Sequence, residues 1–93
     1  MTIDFQEGFT GDDLEIRAGH HVVARLNPRT RLQTGWAGRS EIAADPGDTL
    51  VIALPDTGLE TRFAVPADAR YILVNRDEHG LRITNTEDEP GYL

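Results

Sequence analysis

Short runs of alternating apolar residues, each shut off by a turn-forming group, repeat along nearly the whole chain. Leu14-Glu15-Ile16, Leu50 to Leu54, Phe63-Ala64-Val65, Ile72-Leu73-Val74 and Leu81-Arg82-Ile83 carry the pattern most clearly. A period of two sends neighbouring side chains to opposite faces, which is the signature of a half-buried strand. No ten-residue stretch sustains a helical period with capping residues at its ends. The spacing therefore predicts an all-β fold: a compact antiparallel β-sandwich or partly open barrel of about seven or eight short strands, joined mainly by hairpins. The strands are expected over Thr2–Gln6, Asp13–Arg17, His21–Leu26, Arg39–Ala44, Thr49–Leu54, Glu60–Val65, Arg70–Asn75 and Leu81–Asn85.

The connectors support this reading. Asp45-Pro46-Gly47-Asp48 fits a type II turn, with proline fixing φ and glycine supplying the positive φ that follows. Pro55-Asp56-Thr57-Gly58 and Asp77-Glu78-His79-Gly80 read as hairpin loops ending in a left-handed glycine, and Ala18-Gly19-His20 as a tight reversal. Pro66–Ala69 is less defined and has room for a helical turn.

At 93 residues the chain is expected to form one domain. A domain this small buries only about 60–65% of the surface its unfolded chain exposes. There is no cysteine, so neither disulfides nor thiolate ligands can staple it. Sixteen acidic residues against nine basic ones give a net charge of −7, a field that repels nucleic-acid phosphates. All the basic residues are arginine, the usage expected of a GC-rich bacterial genome. The N-terminal segment lacks the basic and apolar regions of a signal peptide, and no apolar run reaches the ~18 residues of a membrane span. The default reading is a soluble cytoplasmic protein, and the acidic stretch 86–93 is expected to be a solvated, frayed end.

Following strand parity, one face collects Leu14, Ile16, Val22, Ala24, Leu26, Ile42, Ala44, Leu50, Ile52, Leu54, Phe63, Val65, Ile72, Val74, Leu81 and Ile83, enough for a core. The other face is not uniformly polar. Val51, Ala53, Tyr71 and Leu73 fall on it, with Val23 as a further candidate, whereas a sheet facing water should alternate cleanly. A folded-back loop, a second copy of the chain or a ligand could cover them. The four residues thus form a candidate oligomer face, and a homodimer is one expected state.

Two motifs resemble known sites. Leu54-Pro55-Asp56-Thr57-Gly58 matches the LPxTG pattern cleaved by sortases, but strands follow it where a sorting signal has an apolar stretch and a basic tail. Asn75-Arg76-Asp77-Glu78-His79-Gly80 resembles the front half of an EF-hand loop, but it has Asn at the first position and Thr86 at the twelfth. Both read as turns. His20 and His21 are adjacent in an extended segment and point apart, so no metal site is expected, and no cofactor. The single serine, Ser40, lacks a nucleophile-elbow context, and the acidic pairs Asp12-Asp13 and Asp45/Asp48 read as solvated turn acids.

The segment Asn27–Arg39 escapes the strand pattern. It holds the only tryptophan and three of the nine arginines. Trp36 lies between Gly35 and Gly38, and a tryptophan with arginine neighbours is the composition of binding hot spots. Arg29, Arg31, Trp36 and Arg39 are therefore the candidate ligand- or partner-binding residues. The expected function is a non-catalytic binding module for a protein or small-molecule ligand. The alternatives are a carbohydrate- or small-anion-binding accessory domain using the same loop and, with less support, a small carboxylate-dependent enzyme. The competing structural reading is that Trp36 plugs one end of the sandwich while the arginines pair with nearby acids.

Overall fold

In the computed structural model, which describes residues 1–68 and 70–91, the strands are β1 (Thr2–Phe5), β2 (Leu14–Ala18), β3 (His21–Leu26), β4 (Gly38–Glu41), β5 (Thr49–Leu54), β6 (Leu59–Ala64), β7 (Tyr71–Asp77) and β8 (Gly80–Thr86). They form two four-stranded sheets, ordered β4-β1-β7-β8 and β3-β2-β5-β6, stacked as a sandwich and not closed into a barrel. The all-β expectation holds, and each strand lies where the alternation predicts one. The edge strands β6 and β8 approach each other along one side of the sandwich. The radius of gyration, 12.3 Å, is about that of a compact domain of this length.

One pairing departs from the antiparallel expectation. β1 lies parallel to β7, with Thr2 beside Tyr71 and Phe5 beside Val74. On its other side β1 runs antiparallel to β4, with Asp4 opposite Arg39. A parallel neighbour cannot be reached by a hairpin, so this contact depends on the whole intervening chain.

The core is built from both inner faces. Ile3 and Phe5 of β1, Leu14 and Ile16 of β2, Leu50, Ile52 and Leu54 of β5, and Ile72 and Val74 of β7 are all buried. Each such side chain contributes about 1.5–3 kcal/mol of burial free energy. Phe9, from the segment between β1 and β2, closes one part of the core by meeting Phe5 edge to face, with ring centroids 5.7 Å apart. Ala24, Leu26, Phe63, Leu81 and Ile83 pack around this set half-buried.

Val22 is a correction to the expected core. Pairing between β2 and β3 slips after Ile16: Ile16 faces Ala24, but Arg17 faces Val22, leaving Val23 as the extra residue of a β-bulge. One inserted residue flips the parity of everything beyond it. Val22 therefore turns outward with Arg17 and is 37% exposed.

The turns follow the residues that specify them. Gly47 has φ +91°, and the Asp48 N–H donates to the Asp45 carbonyl at 3.0 Å, as a type II turn requires. The LPxTG-like residues form a closed turn, with the Thr57 N–H and hydroxyl both donating to the Leu54 carbonyl at 3.1 Å. Part of the Pro66–Ala69 link, Ala69, lies outside the described residues, as do Tyr92 and Leu93 of the acidic tail.

Candidate functional site

The irregular segment between β3 and β4 is stitched to the N-terminal strand region. The Gly11 N–H donates to the Pro28 carbonyl at 2.8 Å, and the Ala37 N–H donates to the Phe5 carbonyl at 2.7 Å. Thr30 is the central clamp. Its hydroxyl donates to the Gln6 carbonyl at 2.5 Å and accepts the Phe9 N–H at 3.0 Å, while its own N–H donates to the Phe9 carbonyl at 2.9 Å. These bonds satisfy backbone groups that a loop would otherwise leave to solvent.

Within that frame a narrow turn presents the indole. The Arg31 N–H donates to the Trp36 carbonyl at 3.0 Å, and the Gly35 N–H donates back to the Arg31 carbonyl at 2.8 Å. Gly35 has φ +72°, and a side chain there would also strike the Glu7 carboxylate. The turn brings the Arg31 guanidinium over the Trp36 ring, 5.7 Å from its centroid, within the range of a cation–π contact. Trp36 itself is half-buried.

Beside the indole lies an open cleft of about 410 Å³ lined by Arg31, Thr34, Trp36, Arg39, Glu89 and Pro90. Its charged wall starts from a cross-strand pair on the outer face of the β4-β1-β7-β8 sheet. Asp4 is fully buried, and the Arg39 fork grips it through Nε at 2.6 Å and Nη2 at 3.0 Å. This bidentate grip holds the Arg39 guanidinium well above its ordinary pKa. Its remaining nitrogen, Nη1, faces Glu89 at 3.5 Å.

Glu89 belongs to the tail after β8, so the tail runs across the outer face of the sheet toward β4. Three strand spacings amount to roughly 14 Å and three extended residues to roughly 10 Å, leaving the side chains of Arg39 and Glu89 to close the gap. Of the described tail residues, Glu89 and Pro90 line the cleft, and the Asp88 N–H donates to the Thr86 hydroxyl at 3.1 Å.

Of the four residues read as binding candidates, Arg31, Trp36 and Arg39 come together at this cleft. Arg29 does not. It forms an isolated bridge with Thr10, and its guanidinium packs against Gly11. Asp4, Thr34, Glu89 and Pro90 are the contributors that sequence alone does not single out. Asp4 reads there as an ordinary solvent-facing strand acid, because its partner is supplied by a strand 35 residues away.

The four residues of the expected apolar second face are not one patch. Val51 and Ala53 point outward from one sheet, Tyr71 and Leu73 from the other. Charged side chains of neighbouring strands flank Val51 and Ala53. Val51 sits between Arg17 and Arg62, and Ala53 between Glu15 and Glu60, in neighbouring strands. Glu15 accepts from Arg17 Nη2 at 2.6 Å and from Arg25 Nε at 3.3 Å, and Arg17 reaches Glu60 at 3.8 Å. The stems of this ion-pair lattice shield the small apolar residues while the charged ends stay wet. The hydrogen bond from Arg17 holds the Glu15 carboxyl below its ordinary pKa, opposed by burial and reinforced by Arg25.

The calcium-like segment is committed internally. Asn75 Oδ1 accepts the Glu7 N–H at 2.8 Å, while Asp77 accepts the His79 N–H at 2.8 Å and Arg82 Nη2 at 2.6 Å. Among the described residues, no group of three or more His, Asp or Glu side chains is placed to hold a metal. A second cleft of about 400 Å³ near Asp13, Glu15, Arg25 and Asp56 has Asp13 bonded to Asn27 at 2.5 Å and Glu15 bonded to its two arginines. No helix of the described residues is long and apolar enough to cross a membrane. Comparison with known protein families, with curated proteins and with solved structures gives no match.

Proposed function

We propose that this domain is a non-catalytic binding module whose contact surface is the Trp36 cleft. The observation that carries the reading is a half-buried indole walling an open cleft, with one guanidinium over its ring and a second beside it. In a chain of net charge −7 with a single tryptophan, that juxtaposition of arginine and aromatic surface is the combination favoured at hot spots. The Arg31–Trp36 contact and the hydrogen-bonded turn beneath it fix both side chains in advance, which lowers the ordering cost of binding.

The same geometry ranks the ligand classes. A small free anion would compete for Arg39 with Asp4, which already engages two of its nitrogens. A sugar stacked on the indole would meet Arg31 over one ring face. A macromolecular segment, reaching the cleft along its length, needs neither surface to be vacant.

The test is a selection from a displayed random-peptide library on the folded chain, repeated on Trp36→Ala, alongside titrations of Trp36 fluorescence with inorganic phosphate and with maltose. A binding module yields peptides that bind the parent and lose binding to Trp36→Ala. Peptides that bind both chains equally, or a saturable response to phosphate or maltose alone, would refute this reading.

A further inference from the structure

We infer that the cleft recognises an extended acidic segment containing a proline, and that Glu89-Pro90 of the chain's own tail is an intramolecular copy of that ligand. The inference rests on the binding-module reading and adds the chemistry of the partner and a control on access.

Three features converge on it. Arg39 divides its hydrogen-bonding nitrogens cleanly: Nε and Nη2 are held by the buried Asp4 carboxylate, and Nη1 is directed at the cleft, where Glu89 sits 3.5 Å away. A guanidinium anchored on one side and open on the other is a carboxylate receptor of fixed direction, because the planar fork cannot turn without breaking both bonds to Asp4. Next to it, Pro90 and Trp36 line the same cleft. Pairing a proline with an aromatic wall is how grooves for proline-containing segments work, since the segment's backbone is already extended and loses little freedom on docking. Finally, Arg31 adds a second positive group at the cleft, complementary to the acidic run Glu87-Asp88-Glu89.

The tail is joined to β8 by only a few residues, so its effective concentration at the cleft is high. A short flexible connection gives an effective concentration on the order of 1 mM. For a peptide of intrinsic Kd on the order of 0.1 mM, competition by the tail weakens apparent binding about tenfold. The tail therefore acts as a weak latch: a partner carrying a better acidic-proline segment displaces it, and a poor one does not.

The experiment compares the parent chain with two full-length variants, Glu89→Lys and Glu89→Lys/Pro90→Gly. The probe is a synthetic peptide with the sequence of residues 84–91, and the readout is Trp36 emission. The Glu89 side chain is 65% exposed and forms no sheet pairing, so the variants keep the sandwich, and a far-UV spectrum and Tm measured beforehand verify this. The latch predicts that both variants bind the peptide about tenfold more tightly than the parent, and that their emission without peptide is shifted to the red. It also predicts that a peptide with lysine at the position of Glu89 loses binding. Equal affinity for parent and variants would overturn the latch. If none of the chains binds the peptide while the library selection still yields Trp36-dependent peptides, the ligand chemistry is wrong and the binding module stands. If the selection fails as well, both readings fall.

Discussion

Replacing Arg39 by methionine tests the pair on which the cleft is built. Asp4 is enclosed completely, whereas the Arg39 side chain remains 36% exposed. Removing one member of a fully buried ion pair costs about 3–5 kcal/mol, mostly because the other charge stays desolvated. Here water gains partial access where the guanidinium lay, so the expected cost falls to about 2–3 kcal/mol. In urea, at about 1 kcal/mol per molar, the unfolding midpoint should drop by about 2–3 M. At about 2.1 cal/mol/K per residue the unfolding entropy of this chain is about 0.2 kcal/mol/K, so Tm should fall by about 10–15 °C. The decisive measurement is the double variant Asp4→Val/Arg39→Met. With no charge left to desolvate, it should recover most of the loss, giving a coupling energy above about 1 kcal/mol in a double-mutant cycle. A loss below about 0.5 kcal/mol for the single change, or a double variant no more stable than the single one, would refute the reasoning.

Further expectations follow from other parts of the fold. Because Glu15 is held below the usual carboxylate range, it adds stability above that range, and the gain disappears as pH falls through the ordinary value toward its lowered one. Glu15→Gln should therefore flatten the acid side of a stability–pH curve measured by urea unfolding, and an unchanged slope would contradict the assignment. Gly8 has φ +87°, and a Cβ there would collide with the Arg76 backbone carbonyl, which is fixed because the Arg76 N–H donates to the Glu7 carbonyl at 2.9 Å. Gly8→Ala should cost at least about 2 kcal/mol, against about 1 kcal/mol for Gly47→Ala, which shares the positive φ but meets open space. Thermal unfolding of the two variants checks the order. The bulge predicts that Val22→Thr changes stability by less than about 0.5 kcal/mol, whereas Val74→Thr, burying a hydroxyl in the core, costs about 1–3 kcal/mol. Equal losses would place Val22 back in the interior.

Much of this protein could be read from local pattern. Leu50, Ile52 and Leu54, or Ile72 and Val74, announce their inward face by spacing alone, and Gly47 and Gly58 mark turns because few other residues tolerate positive φ. Trp36 with Arg31 and Arg39 stood out because composition there breaks with the rest of the chain. Strand parity places Val22 inside because a bulge leaves no mark in a run of His, Val and Ala, and parity counted across it inverts.

The strands, most turns, the inner face and the unusual loop are legible locally, since each depends on conformational preferences and periodicity within a few residues. Tertiary structure alone decided which strands became neighbours. The parallel seating of β1 against β7, and β4 on its other side, sets Arg39 opposite Asp4, and the path of the tail then brings Glu89 to the free side of that guanidinium. These contacts join residues 35 to 50 positions apart. Asp4 can be buried beside Arg39 only once β1 and β4 are paired in one sheet, which no local preference along the chain specifies.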